Sequence, residues 1–356
     1  MTPLNRLQAS LGKGECALFF SPINRRYLSR FRSSDGVLLV TSDEAKLYLD
    51  SRYFEMGCIA QSQGQIPAEL KILPAVFSKE FSALSETGNA PVCRFEEHYL
   101  TVARLENLKQ AYPKTEFLPL GPRVEEMRAI KTEEEISRIA AAQALAEETF
   151  LYILPRLEKG RSERSVAAEM EYYMKLHGAS GSSFGIICVA GTRSSLPHGA
   201  PTDNLIRENG FITLDFGCVV DGYCSDMTRT VCVGRATEKM KLVYHTVLEA
   251  QTKALCTIRA GVTGKAVDDA ARDHIRDAGF GEYFGHTTGH GIGLEVHEAP
   301  SFSSRYDKPI PAGAVLSVEP GIYLPGEFGV RIEDLAVVRE NGCENLNKTS
   351  KELLEL

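Results

Sequence analysis

The sequence predicts an α+β chain of two domains: a smaller α/β domain first, then a larger one assembled from two similar halves. Three observations predict this. The chain has 356 residues, more than a single core usually accommodates. Over the first 120 residues, short runs rich in Val, Leu and aromatics alternate with helix-like stretches, the pattern of an α/β layer. Further on, Ile153–Ala179 resembles Ala254–Phe280 at a constant offset of 101 residues, as an internal repeat would.

In chain order, Cys16–Phe20, Gly36–Thr41 and Lys46–Asp50 read as strands. Lys79–Leu84 and Glu97–Tyr112 read as helices. Gly121-Pro122 interrupts the pattern, which places the domains at 1–121 and 122–356. Thr132 followed three residues later by Glu135 forms a capping box. Ile136, Ile139 and Gln143/Ala144 continue at helical spacing, so a long helix opens the second domain. Within the repeat, Gly160 matches Gly261, Val166 matches Val267 and Gly178 matches Gly279. Each copy reads as a helix end with a glycine cap, then a helix closed by a second glycine. A glycine-rich stretch with a histidine follows each copy: Pro197-His198-Gly199, then Val296-His297-Glu298. Strands carrying paired acids come next, Asp215 with Asp226 and Glu319 with Glu333. Two such halves can face each other across a pseudo-twofold axis, with the acids meeting in the middle.

Composition narrows the function. The chain is 43% hydrophobic and 24% charged, as ordinary globular proteins are. A net charge of −7 and a pI near 5.7 argue against a nucleic-acid partner. No apolar run approaches the roughly 18 residues of a membrane span. The N-terminus, MTPLNRLQASLGKGE, lacks the apolar core of a secretory signal. The nine cysteines form no Cys-x-x-Cys pair, so reduced thiols and a cytoplasmic location are expected.

The chemistry starts at FITLDFGCVVDGYCSDMTRTVCVG. Asp221-Gly222 is a favoured two-residue hairpin turn. Val220 then pairs with Tyr223, Asp215 lies opposite Thr228, and Asp226 lies opposite Gly217. With side chains alternating, Asp215 and Asp226 share a face as diagonal neighbours, about 7–8 Å apart at the backbone. Acids aimed together from apolar strands are costly without cations. One alternative is that an arginine such as Arg229 neutralises one acid while the other is exposed. The second half shifts the balance, because Glu319 and Glu333 again sit in strand-like runs. Asp334 alternates away from Glu333 and is expected outward. Four such acids call for about four positive charges, which two divalent ions supply. His290, in GHTTGHGIGLEVHE, adds an imidazole. This oxygen-rich set suits manganese, with cobalt or zinc compatible. Two ions about 3.5–4 Å apart can share a water and clamp a developing oxyanion, which is hydrolytic machinery. His198, His286 and His297 stand in neighbouring glycine-rich segments as donors to an oxyanion or leaving group. His98, His177, His245 and His274 take no role.

Asp215, Asp226, His290, Glu319 and Glu333 are separated by 11, 64, 29 and 14 residues. They resemble the five metal ligands of the pita-bread metallopeptidases. The phrases PHGAPTD, LDFGCVVDGYCSDMTRT, TGHGIGLEVHEAP, SVEPGIY and VRIED are similar to the Xaa-Pro branch, which comprises proline dipeptidase (prolidase) and aminopeptidase P. The resemblance spans residues 122–340, and the first domain is less specifically similar to the creatinase-type N-terminal domain. It implies that Asp226 and Glu333 bridge two metals, that Asp215 completes one site, and that His290 and Glu319 complete the other. Glu319 would accept the proton of the attacking water. His198 and His297 would contact the scissile carbonyl and the intermediate, and His286, Tyr323 and Arg331 would line the proline pocket. Peptides with proline at the second position and a homodimer are implied as well. One departure concerns substrate length: Ser301 stands where similar dipeptidases carry a carboxylate-binding arginine, with Arg305 four residues on. This leads to the expectation of aminopeptidase P-like cleavage of longer peptides, with strict Xaa-Pro dipeptidase activity as the alternative.

Overall fold

The computed structural model describes residues 1–74 and 90–356, which fall into two compact units, Met1–Arg128 and Ala129–Leu356. The first unit is α/β. Its strands are β1 (Glu15–Phe19), β2 (Val37–Thr41), β3 (Ala45–Leu49), β4 (Leu70–Pro74), β5 (Val92–Phe95) and β6 (Glu116–Pro119), in the sheet order β4-β3-β2-β1-β5-β6. Its helices are α1 (Pro3–Ala9), α2 (Pro22–Ser29), α3 (Phe54–Ser62), α4 (Val102–Ala111) and α5 (Arg123–Ala129). The three expected strands fall within a residue of β1, β2 and β3. The helix expected over Glu97–Tyr112 begins later, because Thr101 is its N-cap and accepts from Arg104 N at 3.3 Å. The helix expected at Lys79–Leu84 lies outside the described residues.

The second unit opens with α6 (Glu133–Ile153). Its capping box is present: Thr132 Oγ1 accepts from Glu135 N, and Glu135 Oε2 accepts from Thr132 N at 2.9 Å. Helix α7 (Glu163–Leu176) follows, then β7 (Ile187–Ala190), β8 (Gly210–Phe216), β9 (Val219–Val220), β10 (Tyr223–Cys224) and β11 (Met227–Val233). The second half repeats the plan with α8 (Glu238–Thr257), α9 (Gly264–Asp277), β12 (Gly289–Gly291), β13 (Glu298–Phe302), β14 (Val315–Val318), β15 (Gly321–Leu324), β16 (Phe328–Arg331), β17 (Asp334–Arg339) and β18 (Gly342–Asn345). Each half packs its helix pair on its own strands. One core contains Phe150, Met170 and Leu214, the other Tyr244, Val267 and Leu316. The matched glycines Gly178 and Gly279 close α7 and α9 with φ of 107° and 87°, a region that a Cβ disfavours. Gly160 and Gly261 lie in turns beyond the preceding helix ends rather than capping them. In the first half, Pro155 ends the regular helix and leaves only a short 3₁₀ turn, Leu154–Arg156.

The hairpin register holds on both sides of the turn, with Tyr223 opposite Val220 and Thr228 opposite Asp215. Between them the ladder is irregular, although Ser225 N still donates to Cys218 O at 2.9 Å. Ser225 Oγ accepts from Cys218 N at 2.9 Å, and Ser183 N donates to Gly217 O at 3.0 Å. Asp226 therefore lies at a break just before β11. Glu319 likewise follows β14, and Glu333 stands between β16 and β17. The strands change partners at these points, β16 pairing with β15 and β17 with β14. Three of the four acids thus sit at strand ends rather than inside strands. Among the described residues, no helix is long and apolar enough to cross a membrane.

Candidate metal centre and its cavity

A cavity of about 540 Å³ in the second unit gathers nearly all of the residues singled out in the sequence. Its wall includes Asp215, Asp226, His290, Glu319 and Glu333, together with His198, His286, His297 and Arg331. Tyr323 is outside the wall. It stands behind, where its hydroxyl accepts from Arg331 Nη1 at 2.6 Å and meets His286 Nε2 at 2.9 Å.

Donor atoms of Asp226, His290 and Glu333 lie within 4.8 Å of one another. His290 Nε2 is 3.6 Å from Asp226 Oδ2 and 3.3 Å from Glu319 Oε1. The backbone oxygen of Gly291, 3.1 Å from His290 Nδ1, accepts a hydrogen bond from that nitrogen, which assigns the tautomer and leaves the Nε2 lone pair facing the acids. Neighbouring polar groups steady these side chains. Thr228 donates to Glu333 Oε2 at 2.7 Å, and Ser317 donates to Glu319 Oε1 at 3.0 Å. Gln143 Oε1 accepts from the Asp226 amide at 3.2 Å.

Charge balance is the informative feature. Asp226 and Glu333 are 4% and 1% exposed. Burial, reinforced by the surrounding carboxylates, pushes both well above the usual carboxylate range. Burial also raises Glu319 to about 7, although Arg331 and Ser317 pull it down. Arg331 does supply a cation, but to Asp215 Oδ2, at 2.5 Å. Among the described residues, Asp215 Oδ1, Asp226 Oδ1 and Glu333 Oε1 are buried with no hydrogen-bond partner. Buried carboxylate oxygens are rarely left so. Three unpartnered carboxylate oxygens and an imidazole lone pair lining one cavity fit divalent cations, and the oxygen-rich donor set is that of a hard or borderline ion.

Two expectations need correction. Arg229 neutralises neither Asp215 nor Asp226; it pairs with Asp334 at 2.9 Å. Asp334 points away from Glu333 as expected, yet it is fully buried rather than outward. That face of β17 is covered by groups that also donate to Asp334, namely Gln251 of α8 at 3.0 Å and Lys351 of the C-terminal segment at 2.7 Å.

Burial disfavours the charged form of three histidines. Burial first, then Arg331, lowers His286 to about 4. Burial also lowers His290 and His297. The sequence reading missed Thr228 and Ser317 as supports. Both carried a signal: Thr228 is the cross-strand partner of Asp215, and Ser317 precedes Glu319 by two positions. It also missed the apolar wall segment Phe184–Ile187, which only a glycine-bounded approach to β7 could have suggested.

Comparison with known proteins agrees with this architecture. Residues 137–340 match the model of metallopeptidase family M24, and residues 4–130 match the Creatinase/Prolidase N-terminal domain. The chain is 37% identical over 334 residues to the Xaa-Pro dipeptidase of Pyrococcus furiosus, covering 94% of this chain and 93% of that protein. The structure of an Xaa-Pro dipeptidase from Bacillus anthracis superposes with a TM-score of 0.94 at 39% identity, over 99% of both chains. An X-Pro aminopeptidase from Thermotoga maritima superposes with a TM-score of 0.89 at 35% identity, over 96% of this chain and 97% of that one.

Proposed function

The chain belongs to metallopeptidase family M24, and from that premise we propose that it hydrolyses the Xaa-Pro bond of dipeptides. Three orphaned carboxylate oxygens, on residues that line one cavity with His290, carry the metallohydrolase reading. The dipeptide preference is supported by the relatives named Xaa-Pro dipeptidases, which match nearly the whole chain. These relatives favour the dipeptidase over the aminopeptidase P-like reading. That reading rested on Ser301, whose hydroxyl meets Ser303 Oγ at 3.2 Å and is not part of the cavity wall. Arg305 is exposed and likewise outside the wall. Cleavage of longer peptides remains the second reading, supported by the likeness to the Thermotoga maritima aminopeptidase.

Asp215, Asp226, His290, Glu319 and Glu333 would hold two divalent ions, with manganese favoured by the donor set. Bound there, the ions would supply Lewis acidity and lower the pKa of water at the site. Glu319, ionised once the ions are bound, takes the proton of the water that attacks the Xaa carbonyl carbon. His198 and His297 donate to the oxygen that gains charge. The proline nitrogen carries no hydrogen in the substrate, so it must gain a proton as the C–N bond breaks, and Glu319 returns the one it took. Arg331 and His286 of the wall, joined by Tyr323 behind it, form a hydrogen-bonded row that would hold the proline side of the cavity. A homodimer belongs to the same reading and is checked by light scattering.

The test is kcat/KM for Ala-Pro against Ala-Pro-Ala with manganese-loaded enzyme. A free carboxylate held by a charge-assisted bond is worth roughly 1.5–3 kcal/mol, so Ala-Pro should be favoured by about one to two decades. A preference for Ala-Pro-Ala overturns the dipeptidase reading in favour of the aminopeptidase.

A further inference from the structure

His198 reaches the cavity from a long segment between β7 and β8, and its ring makes no hydrogen bond among the described residues. The backbone of that segment must therefore fix its position. Both ends of the segment meet at one side chain. Glu163, in the first turn of α7, is completely buried. Its Oε1 accepts from Ala190 N at 2.9 Å and from Asn204 Nδ2 at 2.9 Å. Its Oε2 accepts from Thr202 N at 3.0 Å and from Thr202 Oγ1 at 2.9 Å. Arg193 Nε contacts both oxygens, at 3.2 and 3.1 Å, while Arg193 Nη2 donates to Ala200 O at 2.8 Å. The amides of Glu163 and Arg164 complete the junction by donating to Asn204 O and Thr202 O, at 3.0 and 2.9 Å. Burial opposes ionisation of Glu163, but these hydrogen bonds outweigh it and hold the carboxyl below its usual range.

The second half contains a comparable device. Asp268 of α9 is also fully buried. It accepts from Thr288 N at 3.0 Å and Thr288 Oγ1 at 2.8 Å, and it pairs with Arg272. Arg272 in turn donates to Phe284 O at 3.0 Å and His286 O at 2.7 Å. In each half, one buried carboxylate on the helix after the repeat glycine ties down the segment that brings a histidine to the cavity.

We infer that Glu163 is a positioning residue for the hydrolytic reaction: it ties the two ends of the 190–204 segment together and so places His198 against the scissile carbonyl. This inference rests on the Xaa-Pro hydrolase reading for its kinetic consequence. Gln at this position keeps the shape but offers an NH₂ group where two amide donors already point. Misplacing a reacting group by about 1 Å costs about 100-fold.

The experiment is a double-mutant cycle of Glu163→Gln with His198→Ala, read by kcat/KM on Ala-Pro, with metal content and amide hydrogen exchange followed in parallel. Glu163→Gln should lower kcat/KM by about 100-fold in the wild-type background. It should change it by less than about twofold when His198 is already absent, because a residue acting only through His198 has nothing left to place. Exchange should rise at Ala190 and across residues 191–204, with metal retained and α8 and α9 unchanged. If Glu163→Gln does not fold, Thr202→Val carries the same measurements, since it removes one of the hydrogen bonds at the same junction. Equal losses in both backgrounds, or unchanged exchange over 191–204, overturn the inference. If the wild type cleaves no Xaa-Pro substrate, the proposed function fails, and the exchange comparison alone decides whether Glu163 holds the segment.

Discussion

Loading the protein with a divalent cation at pH 6 should release protons, and the structure indicates how many. Metal ligation requires ionised carboxylates. Burial raises Glu319 to about 7 in the absence of metal, so it is mostly protonated at pH 6 and mostly ionised at pH 8. Glu319 alone should then lose most of a proton on loading at pH 6 and little at pH 8. Asp226 and Glu333, raised well above their ordinary values, add to the release. His290 adds less than a free imidazole would, because burial lowers it. Titration calorimetry at pH 6, in two buffers of contrasting ionisation enthalpy, yields the number directly. The same shifts govern the stability of the metal-free protein. A carboxyl whose pKa is raised on folding binds more protons folded than unfolded, so its contribution falls as pH rises. The lowered histidines act in the opposite sense, but only below about pH 6.5, their unfolded value. Between about pH 6.5 and 8 the metal-free protein should therefore lose thermal stability, and added manganese should restore it. Buffer-independent heats at pH 6, or a metal-free Tm that climbs from pH 6.5 to 8, would refute the claim that these acids are held as an unbalanced cluster.

Three further outcomes follow from particular residues. Asp226→Asn should abolish hydrolysis and strip the bound metal, which elemental analysis measures; two tightly retained ions would remove Asp226 from the ligand set. His198→Ala and His297→Ala should each lower kcat by about two to three orders of magnitude, as loss of an oxyanion donor does, with metal retained. Loss of metal in both would make them ligands instead. Gly217→Ala would place a Cβ 1.8 Å from Ser225 O, so it should destabilise the unit by roughly 1–3 kcal/mol or more. A denaturation midpoint equal to wild type would show that the strand break next to Asp226 is more yielding than its hydrogen bonds suggest.

The sequence made the local geometry legible wherever a short-range rule governed it. Asp221-Gly222 set the register of the whole hairpin, and Thr132 with Glu135 set the start of α6, because both signals act over a few residues. The offset between Gly178 and Gly279 exposed the two halves, since each helix needs a residue with positive φ at the same place. What stayed hidden was tertiary. The exchange of partners between β14, β15, β16 and β17 moves Glu319 and Glu333 to strand ends, and no local period encodes it. Arg331 was legible as a cavity residue, but its ion pair with Asp215 joins positions 116 apart. Glu163 carried no signal at all in one sequence: a glutamate in the first turn of a helix reads as a dipole-favoured surface residue, and only the fold shows two chain segments closing over it.

Glu333 and Asp334 show why burial alone could not have picked out the candidate ligands. They are consecutive, both carboxylates, and essentially equally buried. Asp334 faces Arg229 and Lys351, whose charges outweigh the cost of burial and hold it below its ordinary range. Glu333 faces other acids, receives one hydroxyl bond from Thr228, and is driven the opposite way. The chain thus pairs Asp334 with two cations of its own, while on the cavity side its one arginine pairs with Asp215 and leaves Glu333 without an ion pair. An acid balanced by arginine and lysine has no need of a metal, whereas one buried among acids, with an oxygen left unpartnered, requires a positive charge from outside the chain. The side of the strand on which the protein leaves negative charge uncompensated is the side that opens into the cavity.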